Sequence, residues 1–234
     1  MDLFMDENRY RKNILLSELG MNGQKKLLSS SVLILGIGGV GCPCAMYLAG
    51  IGIGKLGICD GDTIELHNLH RQIIYKTEDI GAFKADKAFD FLNGLNPDIS
   101  IEVYKRFADA DFIREKAQEY DVIIDAVDGF NNKKMIEEAV SIFRTPVVHV
   151  GIGGFIAQIG VSKYPHEKFG KLLNEYSEDS SPLSCRGTFA PTCGVAGSIA
   201  AGEAVKLILG IDTDASDRIL QFDLSDNYFS NITI

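Results

Sequence analysis

From Ser31 onward, short apolar runs rich in β-branched residues alternate with longer segments whose apolar residues recur at helical spacing. "SVLILG", "KLGICD", "ISIEVY", "DVIIDAV" and "TPVVHVG" are apolar almost throughout, as strands covered on both faces are, and they predict a parallel sheet. Between them, "CAMYLAGIG", "KADKAFDFLNGLN", "ADFIREKAQEY" and "NNKKMIEEAVSIF" place apolar residues three and four apart and predict the connecting helices. Residues 31–150 therefore read as a doubly wound α/β unit, a mostly parallel sheet with helices on both faces.

The flanks carry different patterns. "RYRKNILLSELGMNGQKKLLSS" predicts two short helices, split at Gly20 to Gly23, within residues 1–30. After the core, "GFIAQIGVSKY" predicts a further strand. "PHEKFGKLLNEYSEDSSPLSCRGTFAP" has no sustained period and is rich in Ser, Pro and charge, which predicts a long, mobile crossover loop over 165–190. "PTCGVAGSIAAGEAVKLILG" predicts a helix from Pro191 to Gly210, with enough Gly, Ala and Ser to admit close neighbours. "DRILQFDLSDNYFSNITI" alternates and breaks at "SDN", the pattern of a C-terminal antiparallel hairpin. With no internal repeat and no second apolar core, residues 1–234 are expected to form a single domain: N-terminal helices, the 31–150 core, and a 151–234 region of crossover loop, long helix and terminal strands.

Composition narrows the partners. Hydrophobic residues at 46% and charged residues at 24% fit a globular protein. The net charge of -9, with 23 basic against 32 acidic residues and no Lys/Arg cluster, argues against nucleic acid or an anionic membrane as main partner. No apolar run reads as long enough to cross a bilayer, and "MDLFMDENRYRKN" lacks the order of a secretory signal, so a cytoplasmic protein is expected. Cys42, Cys44, Cys59, Cys185 and Cys193 are an odd number in that reducing setting, so a disulfide framework is not expected.

Candidate chemistry begins at Gly36, Gly38 and Gly41, a G-x-G-x-x-G directly after a strand and before a helix. This Rossmann-like turn lets backbone N-H groups approach phosphate oxygens. Asp60 ends the second strand, where it can accept bonds from ribose hydroxyls. These features alone suit NAD, FAD, SAM or ATP equally. The following "DGDTIELHNLHRQIIYKTEDIGAFKADKA" adds Asn68, Arg71, Gln72 and Lys84. Two cations and two amides beside a phosphate loop suit the charge that develops when a phosphate is attacked. "IIDAVDG" places Asp125 and Asp128 at the crevice mouth; Asp128 can hold Mg²⁺ against a triphosphate or cap the helix beginning near Phe130.

Together, "RYRKNILL", "GIGGVG", "DGDTIELHNLHRQ", "GAFKADKA", "DAVDG" and "GVAGSIAAGEAVKLILG" resemble the ThiF/MoeB/HesA family, relatives of the ubiquitin-activating enzymes, over almost the whole chain. The resemblance implies an adenylyltransferase that uses ATP and Mg²⁺ on the C-terminal glycine carboxylate of a ThiS/MoaD-like, ubiquitin-fold sulfur carrier ending in Gly-Gly. By the same resemblance Gly36, Gly38, Gly39 and Gly41 hold phosphates and Asp60 the ribose, while Asp62, Asn68 and Gln72 complete the pocket. Arg71 and Lys84 stabilise the α-phosphate, and Asp128 holds Mg²⁺ on the departing pyrophosphate. A family arginine that reaches across a homodimer corresponds to Lys12, beside Arg11; Lys lacks the planar fork of Arg.

Two further departures follow Asp128, where the family often has Asn and later Arg but this chain has Gly129 and Lys133. The family's Cys-x-x-Cys zinc pairs are missing; Cys42-Pro43-Cys44 is the nearest, so no zinc is expected. Cys185 lies near the position of the family's covalent cysteine, although its spacing to Pro191 is short; it is either that nucleophile or a plain loop cysteine. Cys193 and Cys59 read as core, and His67 and His70 as loop packing beside the nucleotide. Three alternatives remain at this stage: adenylation of a small-molecule or nucleoside carboxylate, an NAD- or FAD-dependent oxidoreductase, and a silent scaffold.

Overall fold

The computed structural model describes residues 8–175, 183, 187–211 and 218–234. Eight strands form one sheet in the order β3-β2-β1-β4-β5-β6-β7-β8. Ser31–Leu35 (β1), Lys55–Cys59 (β2), Ser100–Tyr104 (β3), Val122–Asp125 (β4) and Val147–Gly153 (β5) run parallel, as the apolar runs predict. Ile156–Ser162 (β6), Arg218–Asp223 (β7) and Tyr228–Thr233 (β8) add the antiparallel extension.

The near-continuous apolar runs are explained by two cores. Val32 and Ile34 of β1 and Val122 and Ile124 of β4 pack on one side with Gly41–Ile51 (α3), Lys84–Leu95 (α4) and Ala190–Leu209 (α8). Leu33, Leu35 and Ile123 face the other side with Ala110–Lys116 (α5) and Phe130–Val140 (α6). Because β1 pairs with β2 on one side and β4 on the other, the chain leaves β1 and later returns on opposite flanks. This topology opens a crevice at the carboxyl ends of the strands. Those ends are level, with Leu35 opposite both Cys59 and Asp125.

Three expectations need correction. The N-terminal helices are Arg11–Ile14 (α1) and Gly20–Leu28 (α2), so the break falls over 15–19 and not at Gly20 to Gly23. Gly20 opens α2 with φ of +58°, and Gly23 lies inside the helix, where its lack of a side chain admits Leu209 of α8. The 165–190 stretch contains a helix, Glu167–Glu175 (α7), which buries Phe169 and Leu173 on one side. Its short stripe, interrupted by Gly170, hid the period.

The third correction concerns α8, whose 20 residues are long and apolar enough to cross a membrane by length and composition. Here it is a core helix: half of that window is buried, and it packs against α3, β5 and β6. Pro191 lies in its first turn and left-handed Gly210 closes it, close to the expected bounds.

Candidate active site

A cavity of about 480 Å³ occupies the crevice. Its walls are the Gly36 to Val40 loop, Asp60, the Glu65 to Gln72 segment, Lys84, Ala126 to Asp128 and Thr188.

The glycine loop divides its labour. Gly36 has φ of +87°, and a side chain there would press on the Ala126 carbonyl. A Cβ on Gly41 would sit 2.0 Å from the Gly36 carbonyl oxygen, so the first turn of α3 lies directly on the loop. Gly39 lies over the Cys193 sulfur and the Arg71 stem. Gly38 is open, its nearest neighbour being the Gln72 amide nitrogen, so it borders the cavity at the N-terminus of α3, where a phosphate is favoured.

Asp60 is buried at the end of β2 and accepts the Ile37 N-H at 2.8 Å on Oδ2 and the Asp62 N-H at 2.8 Å on Oδ1. Burial pushes its pKa up, although those two bonds and the Lys84 charge oppose the rise. Each oxygen keeps a lone pair, so the carboxylate can still accept ribose hydroxyls. Lys84, only 6% exposed, is aimed by Asp62, whose Oδ2 accepts its Nζ at 2.8 Å.

Asn68 is buried and ties its segment together by accepting the Glu65 N-H at 3.0 Å. Arg71 donates to the His67 carbonyl at 3.1 Å and borders the cavity beside Gly39. Gln72 is buried, and its Oε1 has no hydrogen-bond partner among the described residues. Such an acceptor is costly unless a ligand donor satisfies it. With open Gly38, this orphan supports a bound nucleotide in the cavity.

Asp128 is exposed on the cavity wall. The capping alternative is excluded by the geometry, since the residue before α6 is Gly129 and no side chain caps that helix. Arg11 and Lys12 are exposed on α1 and do not border the cavity. The preceding Tyr10 packs on Gly52, just past the far end of α3 from the loop. Cys185 lies outside the described residues. Its neighbours are placed: Leu183 packs on Gly151 and Gly153, and Thr188 borders the cavity.

The four described cysteines are free and buried. Burial raises Cys42, Cys44 and Cys59 to about 12 and Cys193 to about 11, which keeps their thiols protonated. As expected, Cys59 and Cys193 are core; Cys193 nevertheless forms the floor beneath Gly39. His67 and His70 hold their loop: the His67 ring meets the Asn68 amide, and the His70 ring meets the His67 carbonyl.

Residues 10–234 match the ThiF family. The chain belongs to the ThiF family. It is 36% identical to the sulfur carrier protein ThiS adenylyltransferase of Escherichia coli K12, over 98% of this chain and 92% of that protein. It is 34% identical to the SAMP-activating enzyme E1 of Haloferax volcanii, over 96% of this chain and 84% of the relative. Against the longer adenylyltransferase and sulfurtransferase MOCS3 of Culex quinquefasciatus, it is 34% identical but spans only 52% of that protein. Among solved structures, E. coli MccB with ATP superposes with a TM-score of 0.79 at 26% identity, covering 97% of this chain and 71% of that one. With relatives of matching length named adenylyltransferases, this ThiF-family chain is an enzyme of the nucleotidyltransferase class.

The two departures from the ThiF pattern after Asp128 have structural roles. Gly129 takes φ of +91°, which a side chain rarely adopts. Lys133 turns inward to Asp125. Behind it lies a network that sequence reasoning missed: His149 Nδ1 meets Asp125 Oδ2 at 2.7 Å, and Nε2 meets Glu137 Oε2 at 2.9 Å. Ser162 donates to Glu137 at 2.5 Å and meets His166 Nδ1 at 2.8 Å. The available signal was a single polar residue inside each of the apolar runs "DVIIDAV" and "VVHV".

Burial opposes charge on His149, but its bonds to the two carboxylates outweigh this and raise its pKa above the usual 6.5. Burial lowers His166, so that ring stays neutral. The stabilisation from His149 is therefore complete below the unfolded value and lost as pH rises through the raised folded value. Urea unfolding from about pH 6.5 to 9 should show falling stability in the wild type. His149→Gln should remove this decline; an unchanged alkaline slope in the variant would contradict the assignment.

Proposed function

We propose that this protein uses ATP to adenylate the C-terminal carboxylate of a small, ubiquitin-fold sulfur carrier protein ending in Gly-Gly, releasing pyrophosphate. The observation that carries the reading is the convergence on one cavity of Arg71, Lys84, Asp60 and the unpartnered Gln72 oxygen around open Gly38. The substrate class is supported by full-length relatives named for sulfur carrier proteins. Those names favour a protein carboxylate over the small-molecule alternative.

The chemical obstacle is that a carboxylate must approach an anionic triphosphate. The α3 N-terminus and the glycine loop bind the phosphates, and Asp60 and Gln72 orient the nucleoside. Arg71 and Lys84 offset the charge as a carboxylate oxygen bonds to the α-phosphorus and the bond to the pyrophosphate oxygen breaks. Asp128 would hold Mg²⁺, which supplies charge neutralisation on the leaving pyrophosphate. Cys185 enters afterwards, its thiolate displacing AMP from the acyl-adenylate to form a thioester. Because α1 does not border the cavity of its own chain, Lys12 or Arg11 would act from a second copy in a homodimer.

ATP-pyrophosphate exchange tests the reading. Exchange should require both Mg²⁺ and a Gly-Gly-ended carrier. Exchange that ignores the carrier, or none with any carrier of this class, would contradict it.

A further inference from the structure

Lys133 leaves α6 one turn after its start and spends its ammonium on three acceptors: Asp125 Oδ2 at 3.1 Å, the Val127 carbonyl at 3.2 Å and the Val150 carbonyl at 2.7 Å. That saturates its three donors and ties together the end of β4, the middle of β5 and the turn that follows β4. The turn is held again by Asp125, whose Oδ1 accepts the Val127 N-H at 3.2 Å, and by Asn132, which donates to the Asp128 carbonyl at 2.7 Å. It is also joined to β1, because the Ala126 N-H donates to the Leu35 carbonyl.

Asp125 does not hold Lys133 alone. The same Oδ2 meets His149, and the far nitrogen of His149 meets Glu137, also on α6. The helix is thus fastened to β4 and β5 at two points one turn apart, Lys133 and Glu137. Two carboxylates are matched by two cations when His149 is protonated, so the buried network carries no net charge. A balanced buried network resists displacement, whereas removing one member leaves an uncompensated charge.

We propose that Lys133 is a positioning residue that fixes the 126–128 turn, and through it the Asp128 carboxylate, against the glycine loop. The turn-fixing part stands on the contacts alone; the consequence for Mg²⁺ rests on the proposed function. An alanine-like side chain here would leave Asp125 paired only with His149 and free the Val127 and Val150 carbonyls.

The test compares Lys133→Met, the milder Lys133→Gln and the conservative Lys133→Arg in the full chain by hydrogen exchange, followed by binding of a fluorescent ATP analogue as Mg²⁺ is titrated. Met and Gln should accelerate exchange at 126–129 while peptides from β1 and α4 keep wild-type rates. They should raise the Mg²⁺ concentration for half-saturation about tenfold, as loss of a residue orienting a metal ligand does. Affinity for the analogue in EDTA should hold, and Arg should restore most of both effects.

Wild-type exchange at 126–129 in Met and Gln would overturn the proposal. So would acceleration of equal size across β1 and α4, which would make Lys133 a general stability residue, or an unchanged Mg²⁺ midpoint in variants whose turn is loosened. Should the wild type bind no analogue at all, the proposed function fails, and the exchange arm still decides whether Lys133 fixes the turn.

Discussion

Arg71→Ala is expected to lower carrier-dependent pyrophosphate exchange about 10²–10³-fold, the usual cost of removing one donor aimed at developing phosphate or oxyanion charge. The fold should survive. The Arg71 side chain contributes only two contacts within its own loop, to the His67 carbonyl at 3.1 Å and the His70 ring at 3.5 Å, and its stem only covers Gly39. Its loss should therefore move the urea midpoint little, by no more than about 0.5 kcal/mol. Asp128→Ala should behave similarly, since among the described residues its carboxylate holds no other part of the fold and does not cap the helix behind it. Cys185→Ala should leave exchange at the wild-type rate and abolish only the thioester that follows. Equal loss in all three variants, or wild-type exchange in Arg71→Ala, would contradict this division of labour.

Gly41→Ala is expected to be among the most damaging additions of a single methyl group at the described glycines. Its Cβ would lie 2.0 Å from the Gly36 oxygen and 2.9 Å from the Gly36 carbonyl carbon, both backbone atoms that cannot rotate away. Gly36 in turn is wedged against the Ala126 carbonyl, so the strain has no outlet. A loss above about 4 kcal/mol, at the extreme of single substitutions, should appear as a collapse of the urea midpoint. Gly38→Ala is the counterpart. Its Cβ would meet nothing nearer than the Gln72 amide at 3.7 Å, so the fold should hold while ATP binding weakens because the methyl group occupies phosphate space. A wild-type midpoint for Gly41→Ala would show that the loop does not pack as described.

The contrast between these glycines shows what the sequence makes legible. The G-x-G-x-x-G spacing after a strand locates the loop, but only the packing says that Gly41 serves the fold and Gly38 the ligand. Strands β1 to β5 were readable because burial on both faces leaves continuous apolar runs. The site residues Asp60, Asn68, Arg71, Gln72, Lys84 and Asp128 were readable because they lie near one another in sequence or at strand ends, and the structure brings all of them to one cavity.

What was not readable depends on distant pairing. Helix α7 escaped because nine residues with a central glycine hold too few turns for a period to emerge; its Phe169 finds its place by stacking on His149 at 4.5 Å. The Asp125-His149-Glu137 chain joins β4, β5 and α6, and nothing local marks those residues as partners. In the sequence Lys133 is only a departure from the arginine common in the family; its three acceptors, which give it a structural role, lie on segments apart from it.

The central claim is that the nucleotide is spent on a carrier carboxylate, and the carrier itself gives the most direct reading. Incubating the protein with ATP, Mg²⁺, inorganic pyrophosphatase and a Gly-Gly-ended sulfur carrier, then measuring the intact mass of the carrier, should show AMP joined to its terminal glycine. Arg71→Ala should suppress that species. An unmodified carrier in a sample whose ATP is consumed, or adenylation of a free small-molecule carboxylate in its place, would contradict the account.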